Sequence, residues 1–182
     1  MEEWKREVGT ILEAEDHPAL VRMARSSPSR MLRRLAGFLY SEDAEVKWRA
    51  VRALGALAAD PELLTDDKLS EYLRRHLWSL NDESGAVPFG AAEAIGEILA
   101  RRPSLQEAFL PLLCSMIDEE EVIQTGTIER GVIWAIGRAG PAALRSKPDI
   151  AESIRRIAAC HPDAETRSVA EWALRRLAGG GE

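Results

Sequence analysis

The chain reads as an all-α protein, an α-α superhelix of about four stacked helix pairs behind an N-terminal helical cap. Three observations predict this. A short motif recurs, with Ala53-Leu54-Gly55 returning as Ala94-Ile95-Gly96, as Ala135-Ile136-Gly137 and, weakly, as Ala173-Leu174-Arg175, at spacings of 41, 41 and 38 residues. Each copy lies on an apolar stripe with steps of four, three and four residues, which one face of an α-helix requires. The stripes are Val46, Ala50, Ala53, Leu57; Val87, Ala91, Ala94, Ile98; Ile128, Val132, Ala135, Ala139; and Thr166, Ala170, Ala173, Leu177. No segment alternates β-branched residues with period two, so no strand is expected.

Taken in order, residues 1–26 carry Trp4, Val8, Ile11 and Leu12 on one stripe, then a short helix after Pro18, and form the cap. Four units follow at about 28–59, 66–101, 105–140 and 149–178, all within one domain spanning 1–182. In each, a first helix precedes the stripe helix. Leu32-Arg33-Arg34-Leu35 matches Leu73-Arg74-Arg75-His76, the third unit supplies "QEAFLPLLCSMI" and the fourth "DIAESIRRIAAC". Pro28, Pro61, Pro103, Pro148 and Pro162 fall between stripes, while Ser27, Asp43, Ser84 and Asp163 are candidate N-caps. Pro88 is placed in a first helical turn, where its missing N–H costs little. A helix pair cannot bury its stripe alone, so the units must stack, with polar outer faces on the end units.

Composition bounds the function. The 182 residues are 46% apolar, 5% aromatic and 30% charged, with net charge −6 and twenty Arg against four Lys. A domain of this size buries roughly 70% of its unfolded surface and needs neither metal nor disulfide. The acidic balance disfavours nucleic acid and anionic membrane, since each phosphate contact needs a local cation. Cys114 and Cys160 fit no metal or redox spacing. No signal pattern opens the chain and no apolar run reaches the ~18 residues of a membrane span, so a cytoplasmic, soluble protein is expected.

Paired helices of about 41 residues, the second reading V-x-x-x-A-x-x-A-L-G, resemble HEAT repeats, specifically the HEAT-like type named after phycobilisome lyases. The resemblance covers about residues 28–178. The run "WSLNDESG" followed by "EAIGEI" is similar to a family of small bacterial HEAT-like proteins without assigned activity. It implies a scaffold whose second helices line a concave surface.

Counting each stripe's first residue as position one, positions 3, 7, 10 and 14 point about 180° from the core. They carry the candidate site: Trp48, Phe89 and Arg130 at position 3, with Arg52, Glu93, Trp134 and Trp172 at position 7. Asn81, Asp82 and Glu83 form its expected rim. Aromatic and Arg side chains supply most interface energy, so a groove for a protein or peptide partner is one reading. The other is packing between units, with Arg52 and Glu93 an ion pair. Gly55, Gly96 and Gly137 at position 10 indicate close backbone approach.

A binding or scaffold module is therefore expected, with nucleic acid unlikely as a partner and no cofactor or metal implied. Among HEAT-like proteins the alternatives are an enzyme or enzyme subunit of bilin-lyase type, or a relative of alkylpurine DNA glycosylases. Bilin-handling motifs are not found, and His76, beside Arg74 and Arg75, has no partner at metal spacing. The loop run Asp118 to Glu121 is read as solvated charge. Uncompensated Arg49, Arg52, Arg130 and Arg138 on the concave face would favour nucleic acid; neutralising carboxylates would oppose it.

Overall fold

The structure, a computed structural model, describes residues 2–80, 88–117 and 126–180. Among these residues every regular element is helical. The helices α1 (Glu2–Glu13) and α2 (His17–Ala24) come first. They are followed by α3 (Pro28–Phe38) with α4 (Ala44–Ala58), and α5 (Asp66–Leu80) with α6 (Ala91–Arg101). Next come α7 (Gln106–Ser115) with α8 (Gly126–Ala139), the short α9 (Pro141–Ser146), and α10 (Ile150–Cys160) with α11 (Ala164–Leu177). No helix among the described residues is long and apolar enough to cross a membrane.

Local chemistry starts these helices. Asp43 accepts hydrogen bonds from the backbone N–H groups of Glu45 and Val46, Asp163 from that of Thr166 and from its hydroxyl, and Asp16 from that of Ala19. Each satisfies donors that the first turn leaves open. Ser27 sits at the N-cap of α3 without a side-chain bond. Ser84, Val87 and the acidic run Asp118 to Glu121 lie outside the described residues.

The stripe helices pack in series, α4 on α6, α6 on α8 and α8 on α11, with α3, α5 and α10 against α4, α6 and α11. Ala50, Ala53, Ala91, Ala94, Ile98, Val132, Ala135, Ala170, Ala173 and Leu177 are all buried in the shared core. Small side chains set the spacing. A Cβ on Gly96 would overlap the Ala135 backbone, and one on Gly137 would lie 2.8 Å from the Ala173 Cα, so α6, α8 and α11 touch nearly backbone to backbone. Gly55 differs: the space where its Cβ would be is filled by the side chain of Glu97.

The helix α6 is enclosed on all sides, with every residue from Ala91 to Leu99 buried, Glu93 and Glu97 included. A helix buried all round must pair any charge it carries, and these two glutamates meet that need through partners described below.

Two differences from the sequence reading have clear causes. Pro88 precedes α6 instead of occupying its first turn. Gly90 donates its N–H to the Leu39 carbonyl at the end of α3, and a turn closed by the Ala91 N–H on the Pro88 carbonyl precedes the helix. A side chain at Gly90 would also run into Lys47 and Leu39. The second difference is α9, in the stretch that the sequence reading left unassigned between its third and fourth units. Gly140, with φ +62°, ends α8 and Pro141 opens the next turn, the Gly-then-Pro order of a helix end meeting a helix start.

One buried cation ties units together. Arg102 donates to the carbonyls of Ala58 and Leu64 and to Asp66 at 2.6 Å, satisfying the end of α4 from the end of α6.

Candidate functional site

The stripe helices bring three tryptophans together. Trp48 on α4 meets Trp134 on α8 edge to face, with ring centroids 4.9 Å apart at 65°. Trp134 stacks on Trp172 of α11 at 5.8 Å and 5°. Trp48 and Trp134 belong to helices separated by α6, so their contact passes over α6 and closes its outer face. The aromatic stripe is therefore in part packing between helices. Over α6 the rings are packing between helices; beyond it they form one wall of a cleft of about 520 Å³.

Arginines stand beside the tryptophans, with Arg52, Arg138 and Arg176 one turn beyond Trp48, Trp134 and Trp172 on the same helices. Arg52, Arg101, Arg138 and Arg176 line the cleft, together with Glu97 and His17. Arg52 is held from the cap: Glu15, in the left-handed region at φ 51° between α1 and α2, accepts from its Nε at 3.0 Å and its Nη2 at 2.7 Å. That hydrogen bond draws the Glu15 carboxyl below its ordinary pKa. Arg138 reaches both oxygens of Glu97, while Arg101 donates to one of them at 3.1 Å. Burial pushes the Glu97 carboxyl up, but the two guanidiniums outweigh it and the pKa falls. The buried Nε of Arg176 has no hydrogen-bond partner among the described residues, and its guanidinium donates to the Gly180 carbonyl at 3.2 Å.

The remaining sequence candidates lie elsewhere. Glu93 is buried, 3.1 Å from the Lys47 ammonium, and does not pair with Arg52. Its second oxygen abuts Gly131 and accepts no hydrogen bond from a described residue. Burial raises its pKa, only partly offset by Lys47. Arg130 pairs with Asp163 at 3.0 Å and Glu165 at 3.6 Å, joining α8 to the start of α11. The Asp163 pKa is drawn down to about 2, chiefly by the Thr166 hydroxyl and backbone and then by Arg130. Phe89 is half exposed just ahead of α6 and does not line the cleft. Asn81, Asp82 and Glu83 lie outside the described residues. His76 is buried, stacked on Tyr72 with Nδ1 2.9 Å from the Tyr72 carbonyl oxygen, and burial lowers its pKa.

Sequence reasoning missed Glu97, Arg101 and Arg176 and gave Arg138 no place in the site. The signal was present one step along. Ala56, Glu97, Arg138 and Arg176 each stand four residues beyond Arg52, Glu93, Trp134 and Trp172, one helical turn on. The cleft follows this i, i+4 row, whereas position 10 turns its glycines toward neighbouring helices.

Comparison with known proteins places the fold more firmly than the activity. No family model matches the chain. An uncharacterized protein of the archaeon Archaeoglobus fulgidus is 29% identical over 144 residues, covering 79% of this chain and 73% of its own. The crystal structure of an engineered protein superposes with a TM-score of 0.53 at 20% identity, over 91% of this chain and 72% of that one. The likeness extends to the helical fold.

Proposed function

We propose that this chain is a HEAT-like α-α superhelix acting as a binding module, which holds a protein or peptide partner in the cleft between its stripe helices. The observation that carries the reading is the contiguous row of Trp48, Trp134 and Trp172 lining a cleft of about 520 Å³ together with Arg52, Arg138 and Arg176. Tryptophan and arginine in a concave, partly desolvated setting are the side chains that dominate interface energy. The serial packing of four equivalent helices supports the superhelix, because it orients the same register position of each helix toward one face.

Electrostatics weigh against a nucleic-acid track. Arg49 lies 3.7 Å from both Glu15 and Glu45, and Arg130 is held by Asp163 and Glu165, so the cations flanking the cleft are compensated. An enzymatic reading draws no support from the buried carboxylates, since Glu93 is bound to Lys47 and Glu97 to two arginines.

The test is affinity capture from the native cell with wild type, Trp134→Ala and Trp172→Ala, each verified as folded by its melting curve. Truncating a central Trp removes about 2 kcal/mol or more of binding, roughly thirtyfold in Kd, so specific partners are expected to be lost. Retention of every partner by both folded variants would sink the proposal.

A further inference from the structure

We infer that the cleft is selective for an acidic segment of its partner, with a carboxylate seated among Arg101, Arg138 and Arg176 and an apolar side chain against the tryptophans. This rests on the binding-module reading above and deepens it.

The argument is one of charge. The chain as a whole carries −6, yet among the described residues four arginines line this cleft against one carboxylate, that of Glu97. With Glu15 counted for Arg52, the described groups around the cleft still hold two more positive charges than negative, from Arg52, Arg101, Arg138 and Arg176 against Glu15 and Glu97. Arginines in the last turn of a helix suit its dipole, but that accounts for their sequence position and not for three guanidiniums converging from α6, α8 and α11. Like charges so placed oppose folding unless an anion joins them. Glu97 already performs this role for two of them: buried, it takes Arg138 through both oxygens and Arg101 through one. Arg176, which pairs with no carboxylate among the described residues and donates to the Gly180 carbonyl, and Arg101, half exposed, leave a place for a second carboxylate. Planar forked guanidiniums recognise carboxylates well. The acidic groups on Arg49 and Arg130 flank the cleft, which suits a short segment presenting one or two carboxylates better than a continuous phosphate backbone.

Fluorescence anisotropy with labelled short peptides, in which Leu and Ser alternate with Glu, Gln or Lys, tests this at low and high salt, with labelled oligo-dT alongside. The Glu peptide is expected to bind about tenfold tighter than the Gln peptide, to lose that advantage at high salt, and to bind Arg176→Gln several-fold more weakly. Glu97→Gln removes the internal competitor, so it is expected to bind the Glu peptide roughly three- to tenfold tighter, a gain that a damaged fold cannot produce. Equal binding of Glu and Gln peptides, absence of the gain in Glu97→Gln, preference for oligo-dT, or binding of no peptide at all overturns the inference. If both neutral and acidic peptides bind equally and both are lost in Trp134→Ala, only the acid selectivity falls and the binding-module reading stands.

Discussion

Glu93 and Glu97 stand one turn apart on the same enclosed helix, yet their environments move their carboxyls in opposite directions. Glu93 has one ammonium and an oxygen without a described donor, so desolvation wins and its pKa rises. Glu97, less deeply buried, has two guanidiniums, which overcome its desolvation and lower its pKa. A carboxyl held above its unfolded value, about 4.3, keeps its proton more tightly in the folded chain, so the stability it contributes falls as pH rises from that value through the raised one. The reverse holds for Glu97, whose contribution is complete above about 4.3 and is lost as pH falls through its depressed value. Urea unfolding of Glu93→Gln across this range is therefore expected to shift in the variant's favour relative to wild type as pH rises from acid to neutral. Glu97→Gln is expected to lose most at neutral pH and least in acid. Two variant curves running parallel to wild type would refute this assignment.

At the scale of the helix, the repeated Ala-Leu-Gly or Ala-Ile-Gly triplet revealed both element and packing, because small residues at one register are what close helix approach demands. Gly96 abuts the Ala135 backbone, which cannot move aside, whereas Gly37 in α3 has nothing within 4 Å of its would-be Cβ. Helix propensity alone would make both Gly→Ala changes stabilising by about 1 kcal/mol. Gly37→Ala is expected to show that gain, while Gly96→Ala is expected to cost about 2–3 kcal/mol from overpacking. Equal effects at the two positions, measured by denaturant midpoint, would show that α6 and α8 are not in such close approach. Asp43 and Asp163 were equally legible as caps, since a short acidic side chain before an apolar run has one obvious use. The start of α6 was not, because it depends on a hydrogen bond from Gly90 to Leu39 across two units, which no local pattern encodes. The helix α9 was overlooked for the opposite reason: its signal, Gly140-Pro141, also marks an ordinary loop.

Across the whole molecule, the sequence located the tryptophans on one side of the stripe helices but could not say that two of them would meet over a third helix. A row of positions drawn at 100° per residue treats each helix as straight and separate, and so places Glu93 beside Phe89 on an open face. What decides otherwise is the stack itself. Trp48 and Trp134 meet above α6, and Glu93 and Glu97 on that helix are buried. Arg176 and Arg101 belong to the site because the ends of α6, α8 and α11 border one cleft, which a reading of each helix by itself does not show. The closure makes α4 and α8 energetic neighbours although α6 lies between them, and a double-mutant cycle measures that directly. Trp48→Ala and Trp134→Ala are each expected to lower stability by about 2 kcal/mol, and an edge-to-face pair contributes about 0.5–1.5 kcal/mol beyond area burial. The double variant should therefore lose about 1 kcal/mol less than the sum of the singles. The exposed Trp78, 81% accessible on α5, is the control: Trp78→Ala should change stability by less than about 0.5 kcal/mol and add with either. Additivity of Trp48→Ala and Trp134→Ala to within about 0.3 kcal/mol would mean that the rings do not meet across α6. The cleft would then have no continuous aromatic wall.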